Sequence, residues 1–239
     1  MFLLFLEGGK DLSLSEKDRE RFMHVDPANI GHSIEGGYMS KEIKPICDDM
    51  KLVGTAYTVR LPQRDSAALY YAIMNAEKGA VLVIDKGEDD AYACVGEWVG
   101  FMAKSRGMAG FVIDGPATDK LALKKLGLPI FCTGFSPVTS TVNGVGGEVQ
   151  IPIDCGGAIV KPGSIIVGDA DGVIVVPDDY EKYLVDAEIK GAMEKERRIK
   201  VAQGESYDRR QDFDINDFIA ADVEGAIRNF LEKYRAGKE

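Results

Sequence analysis

A chain of 239 residues with 45% apolar and 28% charged side chains is long enough to bury one sizeable core and has the composition of a globular protein. Its net charge of −10 argues against nucleic acid as a direct partner, because phosphate backbones are bound by clustered Lys and Arg. Cys47, Cys94, Cys132 and Cys155 lie far apart with no CxxC pair, which argues against a zinc site or a disulfide framework and reads as reduced thiols in or near the core.

The opening MFLLFLEGG lacks a basic leader and is broken by Glu7, too short for an export signal or a membrane span, so the cytoplasm is the expected compartment. Ser15 with Asp18 three residues on makes a capping pair, predicting a helix from Ser15, and the Gly-rich IGHSIEGGYMS follows. LVGTAYTV (52–59) reads as a strand, SAALYYAIMNAE (66–77) as a helix and GAVLVID (79–85) as a buried strand running into the loop Lys86–Asp90. A helix is predicted over 91–107 and closed by Gly107, a strand over 110–114, a helix over 117–127 closed by Gly127, and a strand over 129–134. This β-α-β-α-β rhythm of short, wholly apolar strands implies parallel strands covered by helices.

After Ser136 the texture changes to short strands separated by Asp-Cys-Gly-Gly, Lys-Pro-Gly and Asp-Ala-Asp-Gly turns, an antiparallel half. Pro177-Asp178-Asp179 opens a long charged helix to about Gln203. A last amphipathic helix is predicted from Ile215 to Tyr234, with Phe218, Ile219, Val223, Ile227, Phe230 and Leu231 on one side. The chain thus divides into a lead-in (1–45), an α/β core (46–180) and C-terminal helices (181–239).

Asp119 stands a few residues past a predicted strand end, where open α/β sheets place their ligands, and Glu97 follows Gly96 at the preceding helix. Two carboxylates in one crevice would favour a hard divalent cation held by oxygen. The same spacing also suits a first-turn acid favoured by the helix dipole and a solvated helix face, and spacing alone leaves both open. GDADG (168–172) lacks the remaining ligands of a calcium loop and reads as a hairpin turn; the glycines at 144, 146, 147, 156 and 157 are not followed by the Lys-Ser/Thr of a phosphate loop. There is no GxSxG nucleophile, His32 reads as a structural or surface histidine, and Trp98 as a packing residue.

GTAYTVRLPQRD, Asp85-Lys86-Gly87, GEWVG, GFVIDGPATD, LGLPIFCTG and GGAIVKPGSIIVGDADGVIVVP occur in an order that resembles the RraA-like family, which includes the regulator of RNase E activity A and the 4-hydroxy-4-methyl-2-oxoglutarate aldolases. The resemblance covers roughly residues 30–205. It implies a swivelling β/β/α three-layer domain, here with a C-terminal helical extension, working as a homo-oligomer, trimer or hexamer, with sites at subunit interfaces. The aldolases of the family carry an acidic residue, twenty residues, then Arg-Asp; this chain has Glu97, twenty residues from Trp98 to Ala117, then Thr118-Asp119.

By that resemblance Asp119 is the metal ligand for Mg²⁺ or Mn²⁺, Glu97 accepts hydrogen bonds from metal-bound water, and the backbone of Gly96, Trp98 and Val99 holds the carboxylate of a small 2-oxo acid. Thr118 stands where the family's Arg would stabilise a developing enolate, and it carries no charge. Lys86 is the expected substitute cation, Arg60 and Arg64 weaker ones, and Glu196 a candidate to reach an adjacent subunit's site. The function implied is a metal-dependent carbon–carbon lyase, an aldolase or oxaloacetate-type decarboxylase releasing pyruvate. The alternatives are a non-catalytic regulatory protein or an enzyme for a different acid. No membrane partner is expected.

Overall fold

The computed structural model describes residues 14–62, 64–87, 89 and 91–204. The opening MFLLFLEGG and the predicted helix Ile215–Tyr234 lie outside the described residues. In chain order the elements are α1 (Glu16–Met23), α2 (Pro27–Gly31), β1 (Lys44–Pro45), β2 (Leu52–Arg60), α3 (Ala67–Asn75), β3 (Ala80–Asp85), α4 (Glu97–Ser105), β4 (Gly110–Ala117), α5 (Lys120–Leu126) and β5 (Ile130–Phe135). There follow β6 (Glu148–Val149), β7 (Ile153–Cys155), β8 (Ala158–Val160), β9 (Ile165–Asp169), β10 (Gly172–Val176) and α6 (Tyr180–Ala202). The chain falls into two compact units, residues 1–191 and 192–239.

Ser15 caps α1 as its spacing predicts: its hydroxyl oxygen accepts the Asp18 N–H at 3.1 Å and the hydroxyl donates back to the Asp18 carboxylate at 2.8 Å. The short α2 has no counterpart in the sequence reading; it begins at Pro27, whose fixed φ suits a first helical turn.

One mixed sheet runs in the order β1-β5-β4-β3-β2-β9-β10, with β6 paired to β2. Strands β2 to β5 are parallel, as their apolar runs imply, and every residue of β3 is buried because both faces are covered. The Gly-rich half joins the same sheet, β9 adding antiparallel to β2 and β10 to β9 across the Asp169–Gly172 turn. GDADG is therefore a hairpin turn, in which Asp169 accepts the Asp171 N–H at 3.0 Å.

Helices α3, α4 and α5 cover one sheet face through Leu69, Ile73, Val99, Ala103 and Leu123 against Leu82, Ile84, Phe111 and Ile113. The β7–β8 hairpin covers the other, Ile153, Cys155 and Val160 packing on Val81, Val83, Val112 and Phe131. These are the hairpin, sheet and helix layers of a β/β/α domain. A third cluster joins Phe22, Val25 and Ile30 to Val53, Val167, Ile174 and Leu184.

Two boundaries differ from the sequence reading, and both shape the site. The backbone of Ala93 pairs with the 138–140 segment, donating to Val138 at 2.9 Å and accepting from Ser140 at 2.9 Å, so residues 91–96 are a loop and α4 begins at Glu97. β4 runs on to Ala117 through a register shift between Ile113 and Pro116 against β5.

Candidate active site

The carboxyl ends of β3 and β4 lie side by side, Asp85 in register with Asp114. Beyond β4, the Thr118 N–H donates to the Val95 carbonyl at 2.9 Å, tying the strand end to the loop before α4. Asp119 then turns left-handed, φ 52° and ψ 40°, a conformation that Asp tolerates better than most residues. The turn aims its carboxylate at the start of α4, where Oδ2 accepts the Glu97 N–H at 2.9 Å.

A first-turn amide of α4 is thus satisfied by an aspartate from the next strand, since its own N-cap, Gly96, has no side chain. Gly96 is glycine for a steric reason. A Cβ there would lie 2.5 Å from Asp119 Oδ2 and 2.8 Å from the Thr118 methyl. Gly96, Glu97, Thr118 and Asp119 are therefore brought together. Asp119 is exposed, and among the described residues nothing donates to its Oδ1. Among the same residues no group of three or more His, Cys, Asp or Glu could form an all-protein metal cage.

The rest of the sequence-predicted set is spread more widely. Val99 is buried beneath α4, leaving only its backbone for ligand binding. Trp98 is not the packing residue its aromatic character suggests: it is 64% exposed and stacked on Phe101 at 6.0 Å. The first turn of α4 points it away from the sheet, and helix position outweighs hydrophobicity. His32 is exposed at the end of α2, and Glu196 on α6 pairs with Lys200 at 3.0 Å.

Lys86 is the largest departure from its expected setting. A lysine in a polar loop reads as solvated, yet its side chain is fully buried and ion-paired with Asp89 at 3.0 Å. Its stem runs under β4, where a Cβ on Gly115 would come within 2.9 Å of the Lys86 Cγ. Asp89 also accepts the amides of Ala91 and Tyr92, so the pair fixes the start of the loop that ends at Gly96.

Lys86 lies at the floor of a crevice of about 810 Å³, whose rim carries Arg60, Arg64, Tyr92 and Glu148. Arg60 pairs with Asp85 at 2.8 Å and Glu148 at 3.4 Å. A second crevice, about 520 Å³, shares Gly87 and Asp89 with the first and is lined by Gly115, Pro116 and Phe135.

Sequence reasoning missed Asp65. Its carboxylate is buried and accepts the amides of Ala67 at 3.0 Å, Asn143 at 3.0 Å and Val145 at 2.6 Å. Those backbone bonds hold its pKa down at about 2. An Asp ahead of a predicted helix is a visible capping signal, but its partners near residue 144 are not. The cysteines behave as structural thiols: burial pushes Cys94 up to about 12 and raises Cys132 and Cys155.

A three-layer β/β/α domain with an acidic motif across two strand ends defines the class. The family model for RraA-like proteins (Aldolase/RraA) matches residues 28–175, and the chain belongs to that family. A Halalkalibacterium halodurans protein named "Putative 4-hydroxy-4-methyl-2-oxoglutarate aldolase" is 40% identical over 214 residues, 89% of this chain and 93% of the relative. Among solved structures, Streptomyces coelicolor RraAS2, described as an unusual member of the RNase ES inhibitor RraA protein family, superposes with a TM-score of 0.69. Its identity is 26%, over 78% of this chain and 98% of that one. RraA from Thermus thermophilis shares the fold, with a TM-score of 0.60 at 24% identity over 66% of this chain and 98% of that one.

Proposed function

We propose that this protein is a divalent-metal-dependent carbon–carbon lyase that cleaves a small 2-oxo acid and releases pyruvate, by aldol cleavage or by decarboxylation. The carrying observation is Asp119, whose Oδ2 is pinned by the Glu97 amide while Oδ1 is uncommitted among the described residues. The 40% identity to a relative with an aldolase name supports the reading.

A single uncommitted carboxylate oxygen fits Mg²⁺, which keeps several waters and takes one or two protein carboxylates plus substrate oxygens. Asp119 Oδ1 would hold it. Bound Mg²⁺ or Mn²⁺ supplies Lewis acidity toward the carboxylate and 2-keto oxygens of the pyruvyl group. The Trp98 and Val99 amides, unused inside the first turn of α4, orient the substrate carboxylate at the positive end of the helix. The exposed Glu97 carboxylate accepts hydrogen bonds from water held at the site. Thr118 donates one neutral hydrogen bond where the aldolases of the family have Arg. The working form on this reading is a homo-oligomer, trimer or hexamer.

The test is pyruvate release from oxaloacetate and from 4-hydroxy-4-methyl-2-oxoglutarate, with Mg²⁺, with Mn²⁺ and with EDTA, and with Asp119→Ala as the blank. Turnover that needs the metal and disappears in the variant is the expected result. A folded oligomer with no turnover above the blank would sink the lyase reading and favour a regulatory protein, as the RNase inhibitor description of the Streptomyces structure suggests.

A further inference from the structure

Helices α4 and α5 run side by side and close together because Gly100 has no side chain: a Cβ there would come within 2.9 Å of both Leu123 and Leu126. The groove between them has a volume of about 700 Å³, and its lining includes Glu97, Trp98, Phe101, Leu121 and Leu126. Where the two helices end, the Lys104 ammonium donates to the Leu126 carbonyl. Where they begin, the groove opens beside Asp119. Glu97 stands on its rim and gives its amide to Asp119 at 2.9 Å, and Leu121 follows Asp119 by two residues, at most about 7 Å of chain.

The exposed residues change character along both helices. On α4 they are Glu97, Trp98 and Phe101 at the start and Lys104 and Ser105 at the end; on α5 they are Lys120 and Leu121 at the start and Lys124 and Lys125 at the end. The exposed apolar side chains are thus gathered at the Asp119 end. Trp98 is 64%, Phe101 51% and Leu121 76% exposed, and the two rings stack at an interplanar angle of 23°. Contiguous exposed apolar surface marks a contact rather than a solvated face. These three side chains present about 400 Å², half of the roughly 800 Å² that each partner of a stable dimer buries, whereas the volume suits a small molecule.

We infer that the α4–α5 groove holds the part of the substrate remote from the pyruvyl group and that this part is apolar, so that the preferred substrates are 4-hydroxy-2-oxo acids with an alkyl or aryl group on C4. This inference rests on the 2-oxo-acid reading of the Asp119 site, and Phe101 and Leu121 become its specificity residues. In the cleavage of such an acid the bond between C3 and C4 breaks and the C4 hydroxyl loses its proton as that carbon becomes a carbonyl. The electron pair left on C3 takes up a proton to give pyruvate. The aldehyde or ketone that leaves carries the apolar group out along the groove.

The experiment is calorimetric binding of pyruvate and of 2-oxo-4-phenylbutanoate, which has no hydroxyl and is not cleaved, to the intact protein with Mg²⁺. Wild type, Phe101→Ala, Phe101→Tyr, Leu121→Ala and Asp119→Ala are compared. Removing a phenyl group from water is worth about tenfold to a hundredfold in affinity, so wild type should prefer the aryl acid by that factor. Phe101→Ala and Leu121→Ala should each lower the preference several-fold and leave pyruvate binding unchanged, Phe101→Tyr should keep it, and Asp119→Ala should weaken both acids. Equal binding of the two acids by wild type, no binding of either, or an equal loss of both in the groove variants would overturn the assignment. So would aryl-acid binding that Asp119→Ala leaves untouched, which would make the groove a separate site, or an oligomer that dissociates in Phe101→Ala or Leu121→Ala, which would give the groove to a second copy of the chain. A groove-dependent preference without pyruvate release from 4-hydroxy-2-oxo-4-phenylbutanoate would remove the lyase reading and leave the subsite standing. Turnover of 4-hydroxy-4-methyl-2-oxoglutarate with no aryl preference would do the reverse.

Discussion

Asp65 and Asp119 both accept backbone amides from elsewhere in the chain, yet they end in opposite states. Asp65 is buried and takes the amides of Ala67, Asn143 and Val145 with that of Gly144 beside them, so its lone pairs are committed to the backbone. Asp119 is exposed and takes one amide, from Glu97. The difference separates an acid that holds a loop in place from one that can accept a ligand. A carboxylate whose lone pairs are filled by the backbone has nothing to offer a cation; one held by a single bond is aimed and still reactive.

Exchanging charge while keeping shape should break the comparison most sharply. Asp119→Asn keeps an acceptor for the Glu97 amide, so the melting temperature should move by no more than about 2 °C, as for other surface substitutions. Turnover in the pyruvate assay should fall by at least about 10²–10³-fold. A variant that keeps most of its activity would mean that the metal does not rest on this carboxylate.

Gly96→Ala should have an intermediate effect. The new methyl would press on Asp119 Oδ2 and the Thr118 methyl, displacing the carboxylate without removing it. Losses for such supporting positions run about tenfold to a hundredfold in metal affinity or activity, and a Mg²⁺ titration of the rate would show a raised half-saturation point. An unchanged titration would mean that the Gly96–Asp119 packing does not position the ligand.

Asp65→Asn should leave catalysis nearly intact and cost stability instead. The native carboxyl titrates at about 2, below the roughly 3.9 of an unfolded Asp. Its contribution is therefore fully present above pH 4 and is lost as pH falls through 2. Thermal melts across that window should show a steeper acid loss for wild type than for the variant, and a lower melting temperature for the variant at neutral pH. Parallel curves would show that Asp65 is not the acid-sensitive anchor of the 141–145 loop.

Much of the architecture was legible because apolar runs such as AVLVID describe burial on both faces directly. The Glu97–Asp119 pairing was legible as a spacing, though its form was not: the contact runs through the Glu97 backbone amide, not its carboxylate. The start of α4 was misplaced because Ala93 gives its backbone to the 138–140 segment, a partner forty-odd residues away. The burial of Lys86 was not legible because it depends on an absent side chain at Gly115, on another strand. In each case the missing information was a tertiary neighbour rather than a local preference.

The hydrogen bond from Thr118 to Val95 uses only main-chain atoms. Every residue except proline could make it, so the turn that presents Asp119 does not depend on which side chain occupies position 118. That position works as an interchangeable socket: the electrostatic character of the site can be altered there by a single codon, while the Asp119 carboxylate and its glycine neighbour keep the main-chain turn that presents them. Thr118→Arg is therefore the simplest way to give this chain the charge it lacks while keeping the main-chain bond that holds the turn.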